Sequence, residues 1–218
     1  ESILEAQFTS GAGNWCTWMF GRDLVNWNNN FTWAKWVTPS RDLINAFKQE
    51  GDEVRFKESI VYYDCNWSNY YPSDNYPFMY KCRSANSSII KYRYADVLLL
   101  KAEALIMQDT PDLEGAADII DEVRDRAKLG ALPTSVRSNK NVLLNALLKE
   151  RRLELAFEGQ RWFDLVRLDK VEEVMNAVYS KDSGRKAQIY TFDKNSYRLP
   201  IPQSVIDAND KIHQNPGY

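Results

Sequence analysis

Residues 91–104 read KYRYADVLLLKAEA, and the run from Tyr92 to Met107 is apolar almost all round, with few charged side chains. This pattern predicts a helix that is buried on most sides. Thr110-Pro111-Asp112 then supplies a cap and a first-turn proline for a second helix. The apolar stripe of the second helix has spacings of three and four, and Gly130 is predicted to end it; the stripe consists of Leu113, Ala116, Ala117, Ile120, Val123 and Ala127. The two helices should form an antiparallel hairpin with alanines at the contact.

The rest of the C-terminal region is also predicted to be helical. A third long helix is expected from Val142 to Glu158, ended by Gly159, and a shorter helix from Gln160 to Leu168. Residues 199–203 read LPIPQ, where two prolines favour extended backbone before a short helical turn.

The region before residue 90 has a different composition, turn-rich and aromatic. One helix is predicted here, capped by Thr38 and ended by Gly51, with an apolar stripe of Leu43, Ile44 and Phe47. Residues 3–8 and 60–63 have strand character, and residues 66–75 are typical of an exposed loop. The predicted fold class is mainly α, with an irregular lobe of short strands over residues 1–90 and a helical region over residues 91–218.

Composition excludes several classes of function. The 218 residues carry a net charge of −2, which argues against a nucleic-acid surface. The sequence contains no run of about 18 apolar residues, so it predicts no membrane-spanning helix. The three cysteines lie apart from any histidine cluster, so no metal or other cofactor is expected. Cys65 and Cys82 flank a predicted polar loop and could close it as a disulfide. The alternative is that all three cysteines, including Cys16, are ordinary thiols.

Aromatic residues are the candidates for ligand binding. Trp and Tyr faces stack on the apolar faces of a pyranose, while Asn, Asp and Arg side chains bond its hydroxyls, and rigid rings lose little entropy on binding. Five of the seven tryptophans fall within residues 15–36, among asparagines and charged groups, and a second loop adds more aromatics. The predicted glycan-binding residues are Trp15, Trp18, Arg22, Trp27, Asn28, Trp67, Tyr70 and Tyr71. The alternative is packing inside the lobe, which best suits Trp33 and Trp36.

Several segments together resemble the C-terminal signature of the RagB/SusD family of nutrient-uptake proteins. They are KYRYADVLLLKAEA at 91–104, VRDRA at 123–127, ERRLELAFEGQRWFDLVR at 150–167, LPIPQ at 199–203 and QNPGY at 214–218. Their order and spacing fit the family across residues 88–218, and the opening ESILE is similar to its central strand.

The resemblance implies a largely helical fold with tetratricopeptide-like helix pairs and a loop-rich lobe that holds the ligand. It implies a surface-exposed outer-membrane lipoprotein that captures oligosaccharides and passes them to a TonB-dependent SusC-like transporter. Since the chain opens directly into a predicted strand, we expect it to be the C-terminal portion of such a protein. The N-terminal helices and the lipid anchor would then lie upstream. The family's ligand contacts lie in variable loops and do not transfer by position.

The signature's charged residues are predicted to be structural, and no catalytic residue is expected. Glu154, Glu158 and Asp164 lie among four arginines, Arg151, Arg152, Arg161 and Arg167. Guanidinium groups lower the pKa of neighbouring carboxyl groups. A carboxyl with a lowered pKa stays ionised, so it forms ion pairs but is a poor general acid. His213, the single histidine, has no nucleophile in a recognisable motif beside it.

Three classes of function remain open from sequence. Non-catalytic glycan capture explains both the aromatic loops and the signature; a relative that binds peptides or other nutrients is its nearest variant. A helical-repeat interaction module would leave the aromatic cluster unused. A glycoside hydrolase would need two facing carboxylates near the aromatics, where Asp23 with Asp64 or Asp74 is the available pair.

Overall fold

A computed structural model describes residues 1–8, 38–65, 71–81, 88–182 and 191–218. The chain divides into two compact units, residues 1–161 and residues 162–218. In the part of the first unit that the structure describes, the strands are β1 Ser2–Ala6, β2 Ile60–Tyr63, β3 Tyr76–Met79 and β4 Ile89–Arg93. Its helices are α1 Arg41–Glu50, α2 Glu53–Ser59, α3 Tyr94–Met107, α4 Leu113–Arg126, α5 Thr134–Arg137 and α6 Lys140–Glu154.

Helix α7, Arg161–Arg167, begins at the division between the units. The second unit continues with α8 Val171–Asn176, α9 Val178–Lys181, a 3-10 turn at Lys194–Tyr197 and α10 Gln203–Asp207. The described part of the chain is therefore mainly helical with short strands, as the sequence predicted. The composition changes near residue 90, whereas the compact units divide after Arg161.

Helices α3, α4 and α6 form one core of the first unit. Its side chains are almost fully buried and include Leu99, Ala102, Ile106, Ala116, Ala117, Ile120, Leu143 and Leu147. The alanines allow close approach of α3 and α4, which confirms the predicted hairpin. Asp112 caps α4 by accepting a hydrogen bond from the backbone N–H of Gly115.

Helix α3 is buried on one side only, so the prediction of burial on most sides was wrong. Leu99 is fully buried, but Tyr94, Val97, Leu100 and Met107 are exposed along one face. The helix also begins at Tyr94, because Tyr92 and Arg93 belong to β4, which pairs antiparallel with β1. Hydropathy alone does not separate the two faces when both are apolar.

A second core lies in the lobe formed by α1, α2 and the antiparallel β2–β3 hairpin. Phe47, Ile60, Tyr76 and Phe78 are its central side chains. Tyr63 pairs with Tyr76 at one end of the hairpin, and Ile60 pairs with Met79 at the other. The predicted strand at residues 60–63 is therefore confirmed.

Helix α1 confirms the predicted apolar stripe but not its cap. Ser40, not Thr38, accepts the hydrogen bond from Leu43 N–H at 3.1 Å. Gly51 ends the helix in the left-handed conformation with φ of 68°, as predicted. The hydroxyl of Thr38 instead pairs with that of Tyr76 in the lobe core.

The predicted ends of two helices differ from the observed ends. Helix α4 ends before Ala127, and Lys128, with φ of 62°, reverses the chain ahead of Gly130. Helix α6 ends at Glu154, and Phe157 and Gly159 then take positive φ values. Local sequence does not identify these ends because non-glycine residues adopt the reversing conformation there.

In the second unit, the LPIPQ and QNPGY segments are joined by hydrogen bonds. Gln214 Oε1 accepts from Ile201 N–H at 2.8 Å, and Gln214 Nε2 donates to Ile201 O at 2.9 Å. Asn215 Nδ2 donates to Leu199 O at 2.7 Å. The second segment thus supplies side-chain partners for the proline-rich backbone of the first, which is extended and lacks two N–H donors.

Two glycines that the sequence assigned as helix ends give a matched test. Gly51→Ala should lower the free energy of unfolding by about 1 kcal/mol, because alanine is strained at φ of 68°. Gly130→Ala should change it by less than about 0.5 kcal/mol, because a Cβ there meets open space and φ is not positive. Urea unfolding of both variants measures the difference, and equal effects would contradict the assignment of Gly51 as the cap.

Two neighbouring leucines of α3 differ in burial and therefore test its two faces. Leu99→Ala should cost about 3 kcal/mol of unfolding free energy, since its fully buried side chain would leave a cavity. Leu100→Ala should cost less than about 1 kcal/mol, because that side chain is already 37% exposed. Thermal and urea unfolding measure both variants. An equal loss of unfolding free energy in Leu100→Ala and Leu99→Ala would contradict the finding that α3 is buried on one side only.

Candidate functional site

Most of the predicted glycan-binding residues lie outside the described residues. These are Trp15, Trp18, Arg22, Trp27, Asn28, Trp67 and Tyr70. Their assignment stays a prediction, as does the assignment of Trp33 and Trp36 to the lobe's core. The structure describes the residues that flank these segments, and of the eight candidates it describes Tyr71.

Tyr71 belongs to the lobe core rather than to an open platform. Its side chain is 9% exposed and packs edge-on against Tyr76 with ring centroids 5.6 Å apart. Its hydroxyl donates to the backbone carbonyl of Pro39 at 2.7 Å. The guanidinium of Arg41 covers its ring face at 4.1 Å from the centroid. A sugar cannot stack on a ring placed in this way, so the expectation for Tyr71 needs correction.

Cys65 is a buried free thiol beside Tyr71 in the same core. Of the two alternatives raised by the sequence, the structure therefore describes the ordinary thiol at Cys65. Its backbone N–H donates to the carbonyl of Ser73.

A buried ionic cluster joins the lobe to the helices of the first unit. We define it as Arg55, Arg93, Glu150, Glu154 and Glu158. Arg93 contacts Glu158 through Nε at 2.7 Å and Glu154 through Nη1 at 2.6 Å, and its Nη2 donates to the backbone carbonyl of Glu154. Arg55, from α2 of the lobe, contacts Glu150 at 2.6 Å and Glu154 at 3.1 Å. Charged groups from β4, α2 and α6 thus meet at one place.

Further charged residues surround this buried ionic cluster. Arg126 pairs with Glu154, and Arg124 reaches Glu150 at 3.2 Å and Glu50 of α1 at 2.8 Å. Lys81 contacts Glu158, and its ammonium also donates to the backbone carbonyl of Glu154 at 2.7 Å. Because each carboxylate has cationic partners, its burial is compensated.

The carboxyl pKa values follow from burial and these partners. Burial alone would raise the pKa of Glu154, but the charges and hydrogen bonds of Arg93 and Arg126 lower it to about 2. For Glu150 burial is the largest effect and raises the pKa, although Arg55 and Arg124 oppose it. Both oxygens of Glu150 accept from guanidinium groups, so its carboxylate serves the packing of α6 against its neighbours.

The four arginines that were predicted to surround Glu154 and Glu158 contact other partners. Arg151 pairs with Asp96 of α3 at 2.9 Å, and Arg152 pairs with Asp42 of α1. Arg161 donates to the carbonyl of Leu148, and Arg167 pairs with Asp164. The predicted structural role is supported, but sequence reasoning missed Arg55 and Arg93, which lie far from Glu154 along the chain.

An open cleft of about 480 Å³ lies between β1 and the α3–α4 hairpin. Ile3, Ala95, Leu98 and Val123 form its apolar wall. Glu122 and Arg126 contribute charged groups. Sequence reasoning did not identify this cleft, because its walls come from segments about 90 residues apart.

Other site classes find no support in the described ranges. No three His, Cys, Asp or Glu side chains there form a group suited to a metal ion. Every helix in those ranges is too short or too polar to cross a bilayer. His213 is exposed near the C-terminus.

Known proteins share both the sequence signature and the fold. The sequence model that describes the SusD family matches residues 76–218 of this chain. The SusD-like protein P2 of Formosa agariphila is 36% identical over an alignment of 143 residues, and the match covers 62% of this chain and 27% of that protein. A SusD homolog from Bacteroides thetaiotaomicron has a TM-score of 0.75 at 21% identity, covering all of this chain and 52% of its own. A laminarin-binding SusD-like protein has a TM-score of 0.53 at 28% identity, covering 81% of this chain and 37% of its own.

The fold and the signature together define a helical scaffold of the SusD type. The chain belongs to the SusD family. It spans about a quarter of the length of its Formosa relative and about half the length of the Bacteroides homolog.

The buried ionic cluster predicts a pH-dependent effect of Glu154→Gln. At pH 7 the variant should lose about 3 kcal/mol of unfolding free energy, because the buried arginines lose a charged partner. The folded pKa of Glu154, about 2, lies below its ordinary 4.5. Its stabilisation is therefore complete above about pH 5 and is lost as pH falls toward 2. The difference between wild type and variant should shrink over that range.

Glu114→Gln is the matched control. Glu114 is 71% exposed and pairs with Arg137 at the surface, so this change should cost less than about 0.5 kcal/mol. Urea unfolding from pH 7 to pH 3 measures both variants. A loss for Glu154→Gln that is small, or that does not change with pH, would contradict the structural role of the cluster.

Proposed function

We propose that this protein captures oligosaccharides at the cell surface without a catalytic step. The observation that carries the proposal is the likeness to a laminarin-binding SusD-like protein, which combines a shared fold with 28% identity. Membership of the SusD family supports it. Laminarin-derived oligosaccharides are therefore the first ligands to test.

The proposed binding surface consists of the predicted residues that lie within residues 9–37 and 66–70, namely Trp15, Trp18, Arg22, Trp27, Asn28, Trp67 and Tyr70. Stacking of tryptophan and tyrosine rings on sugar faces would supply most of the contact area, and Arg22 and Asn28 would bond hydroxyls.

We also propose that the captured glycan passes to a TonB-dependent SusC-like transporter in the outer membrane. A lipid anchor upstream of these residues would hold the protein at the extracellular face. Family membership is the support for both statements. Purification of the native protein with its membrane partner would test them.

Isothermal titration of the 218-residue chain tests the capture of glycans. Laminarin-derived oligosaccharides should bind and be recovered unchanged. Starch-derived oligosaccharides and mixed peptides form the comparison arms. Binding of peptides alone would favour the peptide-binding variant, and release of new reducing ends that survives purification would favour a hydrolase.

Substitution of the platform residues gives a sharper test. Trp18→Ala and Trp67→Ala should each weaken oligosaccharide binding about tenfold, because each removes a stacking surface. Tyr94→Ala is the control, since Tyr94 is an exposed aromatic of α3 outside the two segments. Titration with circular dichroism checks affinity and fold together. Full affinity in both tryptophan variants would contradict the platform.

A further inference from the structure

We propose that one face of α3, together with the cleft between β1 and the α3–α4 hairpin, is the docking surface for a helix from the part of the protein that precedes Glu1. We call this side of α3 the open face. It consists of six exposed residues, Tyr94, Val97, Leu100, Lys101, Ala104 and Met107. Docking here belongs to the scaffold of the protein and is independent of glycan binding.

The open face has the composition of a covered helix face. Its apolar members follow one another at spacings of three and four residues, so they form one stripe along the 14 residues of α3. The opposite side is already buried, and Leu99, Ala102 and Ile106 there are fully enclosed. A helix that is apolar on both sides is suited to packing on both sides, and a contiguous exposed apolar stripe is typical of an interaction surface.

The cleft continues the open face toward β1. Tyr94, Ala95 and Leu98 of α3 lie on one side of it. On the other side lies Ile3 of β1, whose side chain is exposed. Apolar side chains placed in this volume of about 480 Å³ would remove apolar surface from water on both partners. Helix face and cleft together therefore form one surface.

The described chain begins at the same end of α3. The carbonyl of Glu1 accepts a hydrogen bond from the N–H of Tyr94, the first residue of α3, at 2.9 Å. Strand β1 runs antiparallel to β4, and β4 leads directly into α3. Residues that precede Glu1 therefore leave the sheet beside the first turn of α3. A short connection is enough to place a helix along the open face.

Related chains are long enough to supply such a helix. The SusD homolog from Bacteroides thetaiotaomicron matches all of this chain with 52% of its own length. The match to the Formosa relative covers 27% of that protein. The same fold thus occurs within a chain about twice as long. A helix connected to Glu1 also docks within one molecule, at a high effective concentration.

Lys101 defines the charge that the docked helix should carry. It lies near the middle of the open face, and none of the described residues forms an ion pair with it. Two copies of this chain related by a twofold axis on the face would bring two Lys101 ammonium groups together, and this repulsion opposes the contact. The occupant should instead present an apolar stripe with an acidic residue opposite Lys101.

Cysteine labelling in two lengths of the protein tests the docking. Val97→Cys places a thiol on the open face, and Ala104→Cys places another two turns further along it. Val142→Cys in α6 is the matched control, because Val97 and Val142 are 43% and 42% exposed. A maleimide is applied to the 218-residue chain and to the full-length protein, purified without a membrane partner. Peptide mapping by mass spectrometry measures labelling at each position.

In the 218-residue chain the three positions should be labelled at similar rates. In the full-length protein, labelling at positions 97 and 104 should be at least about tenfold slower, because the thiols are reached only when the helix detaches, while labelling at position 142 should not change. Lys101→Glu, added to Val97→Cys, should restore much of the labelling at position 97, because it repels the acidic residue of the docked helix.

Three outcomes would overturn the inference. One is equal labelling of positions 97 and 142 in the full-length protein. Another is protection of position 97 in the 218-residue chain that grows with its concentration, which light scattering would trace to a second copy. The third is protection that appears only after the membrane partner is added, which would assign the open face to that partner. Labelling does not involve a glycan, so the proposed function stands or fails separately.

Discussion

The buried contact of Arg93 with Glu154 and Glu158 is the constraint on which the rest of the first unit depends. Arg93 ends the strand that pairs with β1 and immediately precedes α3, so its position fixes where the sheet stops and the helix starts. Glu154 ends α6 and also receives Arg55 from the lobe. Taking these charges out of water is costly unless all partners are in place. The cluster therefore favours one arrangement of the sheet, the helices and the lobe.

The same kind of contact joins the segments of the signature to one another. The motif at 91–104 supplies Arg93 and Asp96, and the motif at 150–167 supplies Arg151, Glu154 and Glu158. In the second unit, LPIPQ and QNPGY are joined by hydrogen bonds between the side-chain amides of Gln214 and Asn215 and the backbone of LPIPQ. These residues of the signature hold the scaffold of this chain together. Ligand choice would then be free to vary in the aromatic segments.

Sequence reasoning succeeded where local patterns decide the structure. The hairpin of α3 and α4, the helix that ends at Gly51 and the strand at residues 60–63 follow from periodicity and turn residues. It failed where distant contacts decide. Thr38 has the chemistry of a cap, but its hydroxyl bonds Tyr76, and the cap is Ser40. Lys128 takes a positive φ that local sequence would assign to Gly130.

The candidate site shows the same division between local pattern and distant contact. Tyr71 has the polar and aromatic neighbours of a surface residue, yet Pro39, Arg41 and Tyr76 enclose it from elsewhere in the chain. Arg55 and Arg93 gave no local signal of their contacts with Glu154, because Glu154 lies 99 and 61 residues away from them along the chain. Periodicity carries no information on such pairs.

The central proposal is that scaffold and ligand contacts are separate, with binding by the aromatic residues predicted within residues 9–37 and 66–70. The most direct measurement is an NMR titration of the seven tryptophan indole N–H signals with laminarin-derived oligosaccharide. The account predicts shifts at Trp15, Trp18, Trp27 and Trp67 and an unchanged signal from Trp162, which packs against Phe192 in the second unit. Shifts confined to Trp162, with those four signals unmoved, would contradict it.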